Sequence, residues 1–276
     1  MDHQPRVGVW LIGACGGVAT MTVVGARAVA RGLRPPTGLL TETRLFDGLD
    51  LPGVGELVFG GSEIRKTDLS CAALEFQRKA GVLDRQLLML LHEDLAAISS
   101  DIRPGYLVNP SPSVKTMAEN GRVSRARGPR RIVEGIQKDL QDFQEKHDLD
   151  QIVVVNLSST EPPRKLPIEF AHLDGFRRML DAKRAGKGLT NSVLHAYAAI
   201  DAGHPFVNFT PSPANTIPAL VELAEEKQVP HAGSDGKTGE TLVKTVLAPM
   251  FSGRALRVLS WEGYNLLGNR DGFVLN

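Results

Sequence analysis

The first apolar run of the chain is Val7-Gly-Val-Trp-Leu-Ile12, β-branched and apolar, and it predicts a buried strand. Gly13-Ala-Cys-Gly-Gly17 follows. Residues 18–31, V-A-T-M-T-V-V-G-A-R-A-V-A-R, then predict a helix stopped by Gly32 and by Pro35 and Pro36. Residues 37–55 are turn-rich and are expected to loop out. Residues 56–61 predict a short strand ending in Ser62-Glu63, and residues 69–98 a largely helical stretch broken near Gly81. Tyr106-Leu-Val-Asn109 is a further strand candidate, closed by Pro110-Ser-Pro112. Residues 131–147 form an amphipathic helical pattern. Gln151 to Asn156, Q-I-V-V-V-N, is the clearest buried strand, and its end carries Leu157-Ser-Ser-Thr-Glu-Pro162. A helix is expected over 191–202, a strand over 205–209 and a helix over 214–228 after a Thr210-Pro-Ser-Pro turn. Residues 256–267 read as two short strands or one long bent one. Strands alternating with helices predict an α/β fold built on a doubly wound parallel sheet.

Composition narrows the class. Of 276 residues, 42% are hydrophobic and 23% charged, which suits a globular chain of one large domain or two modest ones. Thirty-two basic and 31 acidic residues leave a formal charge of +1, so neither nucleic acid nor an anionic membrane is an expected partner. The basic cluster R-V-S-R-A-R-G-P-R-R, 122–131, reads as a solvated loop or helix entry. Cys15 and Cys71 make no disulfide framework, and a reducing cytoplasm is the simplest setting. The apolar run at Val7–Ile12 is too short for a secretory signal core, and no run approaches the roughly 20 residues that span a bilayer. Seven scattered histidines, without H-E-x-x-H or C-x-x-C, give no expectation of a metal site.

The glycine turn carries the first chemistry. Gly13, Gly16 and Gly17 lie between a strand and a helix, where glycine lets the backbone approach a pyrophosphate and the helix terminus supplies unpaired N–H groups. The spacing is G-x-x-G-G rather than G-x-G-x-x-G. Such a site needs an acid for the ribose hydroxyls. Glu42 and Asp47 lie nearest the usual spacing of about 20 residues, but Glu63 ends a strand and is the favoured candidate. Ser158, Ser159 and Thr160, at the end of the strand over 151–156, would face the same crevice and reach cofactor phosphates or amide. Thr160 and Glu161 serve equally well as caps of the next segment.

Residues 233–244, G-S-D-G-K-T-G-E-T-L-V-K, overlay three catalytic signatures. A P-loop needs glycine where His231 stands. S-x-x-K and K-T-G would have to share one lysine, whereas penicillin-recognising enzymes use two. What remains is a glycine-flanked Lys237 ahead of a helix, with Lys244 two helical turns later, on their own as consistent with a surface pair as with a site.

Together these segments identify a resemblance. V-W-L-I-G-A-C-G-G-V-A-T (9–20), V-F-G-G-S-E-I (58–64), V-V-V-N-L-S-S-T-E-P (153–162), F-V-N-F-T-P-S (206–212), G-S-D-G-K-T-G-E-T (233–241) and Y-N-L-L-G-N-R-D-G (264–272) resemble the myo-inositol-1-phosphate synthase family, closer to its bacterial and archaeal branch. The resemblance implies a Rossmann-type NAD domain, here residues 1–207, and a second α+β catalytic and tetramerisation domain, here 208–276. It implies NAD as cofactor, glucose 6-phosphate as substrate, a homo-oligomer and the redox-neutral formation of inositol 3-phosphate. Cofactor contacts carried over are Gly13, Cys15, Gly16, Gly17, Val18, Glu63, Ser158, Ser159, Thr160 and Asp271. Lys237, assisted by Asp235 and Lys244, becomes the catalytic group. Asn208, Ser212, Asn215, Lys237 and Asn269 become substrate contacts. Family members continue for several dozen residues beyond the position of Asn276, with further active-site lysines, so a fragment or a shortened relative is expected. A paralogue that binds NAD or a sugar phosphate without turnover is the alternative, and a simple NAD oxidoreductase with net NADH production a third.

Overall fold

The computed structural model describes residues 5–262 apart from 120, 122, 162–164, 187, 237 and 238. Six strands form one parallel sheet: β1 (Val7–Ile12), β2 (Val58–Glu63), β3 (Ile102–Pro104), β4 (Gln151–Asn156), β5 (Phe206–Asn208) and β6 (His231–Ala232). Their order is β3-β2-β1-β4-β5-β6, with every neighbouring pair parallel. That is the doubly wound order, whose direction reverses between β1 and β4. The helices are α1 (Gly17–Ala30), α2 (Leu69–Ala80), α3 (Arg85–Leu90), α4 (His92–Ser99), α5 (Pro112–Ala118), α6 (Pro129–His147), α7 (Leu173–Leu180), α8 (Asn191–Asp201), α9 (Pro218–Lys227) and α10 (Gly239–Gly253).

The sheet is covered on both faces, which is why its central strands are apolar without alternation. Within β1, Trp10 and Ile12 belong to the core formed with α6, α7, α8 and α9, while Leu11 belongs to the core formed with α1, α2, α3 and α4. This follows the two-residue period of a strand. In α6, Ile132, Val133, Ile136, Leu140 and Phe143 are buried along one face. Helix α8 is different: Ser192 through Ile200 are all buried, because it packs between α6 and α9 with alanines at 196, 198 and 199.

The structure departs from the sequence reading in places. The strand expected at 106–109 is found at Ile102–Pro104, paired to β2. Tyr106 and Val108 are apolar and buried because they enter the core from a loop, where Val108 N–H donates to Asn191 Oδ1 at 3.1 Å instead of to a strand. Helix α5 was hidden in the Pro110-Ser-Pro112 turn signal: Ser111 caps it and Pro112 takes its first position, where a missing N–H costs nothing. Helix α7 has Leu173, Phe176 and Leu180 on its buried face and was not anticipated. The proline-broken stretch before residue 233 still supplies the two-residue strand β6. Residues 256–262 form no strand, and the rest of that expected element lies outside the described residues. The sheet runs past the expected boundary after residue 207: β5 crosses it and β6 lies beyond, so residues 208–232 share the sheet with the N-terminal part.

Candidate nucleotide and substrate site

The carboxyl ends of β1, β2, β4 and β5 open on one cavity of about 580 Å³. Its first wall is the turn after β1. Gly13 has φ +79°, a left-handed conformation disfavoured for side-chain-bearing residues, and its added Cβ would sit 3.2 Å from Ser158 Cα. Gly13 and Ala14 N–H donate to Ser62 O at 2.9 and 3.1 Å, and Gly16 N–H to Gly13 O at 2.8 Å. Gly16 then caps α1 with no side-chain acceptor, and the first turn of α1 carries no acid. The positive end of a 14-residue helix therefore meets the cavity without a neutralising group of its own, an arrangement suited to a pyrophosphate.

Glu63 stands at the end of β2 and is buried. Its Oε2 accepts from Cys15 N–H at 3.1 Å, and its Oε1 from Ile64 and Arg65 N–H at 2.9 and 3.0 Å. The Arg65 guanidinium pairs with Glu63 at 3.0 Å and donates to Cys15 O at 2.6 Å. This brace holds the glycine turn against the second strand.

Behind the cavity, at the ends of β4 and β5, lies a polar network. Asn156, fully buried, accepts from Ser158 Oγ at 2.8 Å and donates to Ser192 Oγ and Asn208 Oδ1, both at 3.2 Å. Asn208 in turn donates to Ser212 O at 2.8 Å and accepts from Thr210 Oγ1 at 2.9 Å. Ser212 Oγ accepts from Glu161 N–H at 2.8 Å. The stretch at 233–236 docks on this frame. Gly233, at φ +92°, approaches Asn208 O so closely that a Cβ would collide with it. Asp235 N–H donates to Asn208 O and Gly236 N–H to Phe209 O, each at 3.3 Å. Asp235 is held at φ +86° and lines the cavity with Gly236.

Comparison with known proteins places this arrangement. An NAD-binding family model described as myo-inositol-1-phosphate synthase matches residues 7–267. The chain belongs to the myo-inositol-1-phosphate synthase family. It is 31% identical to an inositol-3-phosphate synthase of Bacteroides thetaiotaomicron, over 98% of this chain and 63% of that protein. It is also 31% identical to the rat inositol-3-phosphate synthase 1, over 97% of this chain and 51% of that one. The chain thus spans roughly half to two thirds of the length of these relatives. Among solved structures, an inositol-3-phosphate synthase of Caenorhabditis elegans superposes with a TM-score of 0.78 at 20% identity, covering 92% of this chain and 53% of that chain. A myo-inositol-1-phosphate synthase-related protein of Thermotoga maritima gives 0.63 at 23%, covering 92% and 60%. At these identities the structures support the fold.

Within this inositol phosphate synthase fold, Gly13, Cys15, Gly16, Gly17, Val18, Glu63, Ser158, Ser159, Thr160 and Asp235 all line the one cavity. Asn208, Ser212 and Asn215 do not line it; they are buried behind it, the first two in the network above and Asn215 donating to His231 Nδ1 at 2.9 Å. Lys244 is exposed on α10 and sits 5.7 Å from the centre of the Trp261 ring, away from the cavity. Lys237, Asn269 and Asp271 lie outside the described residues. The sequence reading missed Arg65, two positions beyond the strand-ending acid. It also missed Thr190, Asn191 and His195 of the α8 end, where the only signal is a single histidine in the apolar run V-L-H-A-Y-A. Glu161, weighed above as a possible cap, accepts from Ser192 N–H at 3.3 Å in the first turn of α8, and burial raises its carboxyl pKa above the ordinary range. Among the described residues, no helix is long and apolar enough to cross a membrane.

Proposed function

We propose that this chain binds NAD in the cavity and carries the conversion of glucose 6-phosphate to inositol 3-phosphate. The observation that supports this most is the N-terminus of α1 behind the Gly13 turn, which has no side-chain cap and opens on a cavity also lined by Asp235 and Gly236. The residues fit the cofactor. A pyrophosphate would meet the N–H groups of Gly17 and Val18, the adenosine ribose would lie at the Glu63–Arg65 end, and Ser158, Ser159 and Thr160 would face the nicotinamide half. NAD, when bound, supplies a hydride acceptor for the sugar and returns the hydride at the end of each turnover.

The chain's own residues supply the rest of the proposal. Lys237 directly follows the docked Asp235-Gly236 pair, and an ammonium there would stabilise the oxyanion that develops during enolisation and ring closure. Asp235 would orient that lysine or carry a proton. Asn208, Ser212 and Asn215 would shape the sugar-phosphate wall from behind, with Asn269 and Asp271 contributed by the region beyond β6, which also carries the proposed tetramer contacts. Cys15 and Cys71 form no disulfide, which is consistent with the proposed reducing cytoplasm.

The test is an end-point assay with glucose 6-phosphate and substoichiometric NAD, following inositol phosphate by NMR. Product in excess of the NAD supplied, without accumulated NADH, supports the synthase. NAD binding without product supports the binding paralogue, and stoichiometric NADH a simple oxidoreductase.

A further inference from the structure

Among the described residues, four buried side-chain polar atoms have no hydrogen-bond partner: Thr20 Oγ1, Glu161 Oε2, His195 Nε2 and Asn215 Oδ1. Three of them, on Thr20, Glu161 and His195, belong to residues that line the cavity. Such atoms are rare in folded proteins, because each has lost its water without a replacement, and a ligand is one way to supply it.

Glu161 and His195 both line the cavity and are both tied to the first turns of α8, Glu161 through Ser192 N–H and His195 as a member of that helix. Glu161 Oε1 is occupied by Ser192 N–H at 3.3 Å, which leaves Oε2. His195 Nδ1 lies 2.9 Å from Asn191 O. A carbonyl oxygen only accepts, so Nδ1 carries the proton and Nε2 of the neutral ring is a bare acceptor. The ring is 3% exposed and rests edge-on against Tyr106, with centroids 6.0 Å apart. Burial keeps it neutral, lowering its pKa to about 4. With Glu161 ionised the pair presents two acceptors, and among ligand groups a phosphate, which brings acceptors of its own and negative charge, is the worst match.

We propose that Glu161 Oε2 and His195 Nε2 form a subsite for a ligand group that donates hydrogen bonds, either the NH₂ of a carboxamide or a sugar hydroxyl. This rests on the dinucleotide reading above. With the pyrophosphate at the β1–α1 turn and adenosine toward Glu63, the nicotinamide half and the sugar lie toward β4 and α8. The carboxamide carries two N–H donors, and the sugar carries hydroxyls. The subsite thus excludes phosphate from this end and fixes which way round the ligand lies.

The test uses His195→Phe and Glu161→Gln, with calorimetric binding of NAD, of ADP-ribose, which lacks the nicotinamide, and of glucose 6-phosphate to the NAD-saturated protein. Phe keeps the ring packing on Tyr106 and removes the acceptor. Gln keeps its carbonyl for Ser192 N–H and puts a donor in place of Oε2, so either variant alone can decide. A carboxamide in the subsite predicts NAD binding weakened at least fivefold with ADP-ribose unchanged. A sugar hydroxyl predicts unchanged NAD and glucose 6-phosphate weakened at least fivefold. All three affinities unchanged would overturn the proposal, as would equal weakening of ADP-ribose and NAD, which marks general damage. Wild-type protein that binds no ADP-ribose removes the dinucleotide reading itself, and this proposal with it.

Discussion

Glu63 Oε2 accepts the backbone N–H of Cys15 at 3.1 Å, so the last residue of β2 holds the glycine turn that follows β1, 48 positions earlier. The same carboxylate pairs with Arg65, which reaches back to Cys15 O. Three residues thus close a loop of contacts around the helix terminus that faces the cavity. Glu63→Ala leaves a largely buried guanidinium without its partner, and stability should fall by about 3 kcal/mol. NAD affinity should fall at least tenfold because the turn loses its brace. Urea unfolding and calorimetry read both, and unchanged affinity in a folded variant would remove the brace from the account.

Gly13→Ala places a side chain at φ +79° and 3.2 Å from Ser158 Cα. The left-handed conformation alone costs about 1 kcal/mol, and the contact adds to it. The expected result is a lowered melting temperature together with NAD binding weakened by an order of magnitude or more. Wild-type NAD affinity would show that the turn does not meet the cofactor.

Asp235 is an aspartate at φ +86° whose own N–H donates to Asn208 O, while that of Gly236 donates to Phe209 O. Asp235→Gly should relieve the strain and stabilise the fold by about 1 kcal/mol, while removing the carboxylate proposed beside Lys237. Stability up and turnover down is the signature. Lost stability would mean that the carboxylate's own contacts outweigh the backbone strain.

His195 gives a pH prediction. Desolvation lowers its pKa from 6.5 to about 4, against a smaller raising effect of the Asn191 carbonyl. Between those values the unfolded chain binds a proton that the folded chain refuses. The histidine's contribution is therefore fully present above pH 6.5, declines as pH falls through the window and is gone below about 4. The difference amounts to about 3 kcal/mol. His195→Phe should flatten the stability profile across that window in urea titrations. A profile as steep as that of wild type would assign the acid sensitivity elsewhere.

Lys237→Ala should retain NAD binding and lose cyclisation, because the proposed role of its ammonium is toward the sugar and not the dinucleotide. Loss of a charge-stabilising group of this kind commonly lowers turnover by about 100-fold or more. Calorimetry with NAD and the NMR end-point assay separate the two effects, and undiminished product would sink the assignment.

The central strands and the glycine turn were legible in the sequence. Val7–Ile12 and Gln151–Asn156 are apolar on both faces because helices cover both sides of the sheet, and that burial writes itself as an unbroken run. Gly13 is legible because its conformation admits few other residues.

Long-range placement was decided by the tertiary structure. Tyr106 and Val108 carry a strand-like pattern, yet the pairing partner of β2 is Ile102–Pro104, since burial of side chains says nothing about which backbone groups pair. The family resemblance implies Asn208, Ser212 and Asn215 as substrate contacts, and the fold buries them behind the cavity, hydrogen-bonded to each other and to their neighbours. His195 looks like a core residue of α8 and is one, yet its second nitrogen is left without a partner beside the cavity. Whether a polar atom is satisfied depends on what the fold brings within 3 Å of it, and local sequence carries that information only for neighbours one helical turn or one strand pairing away.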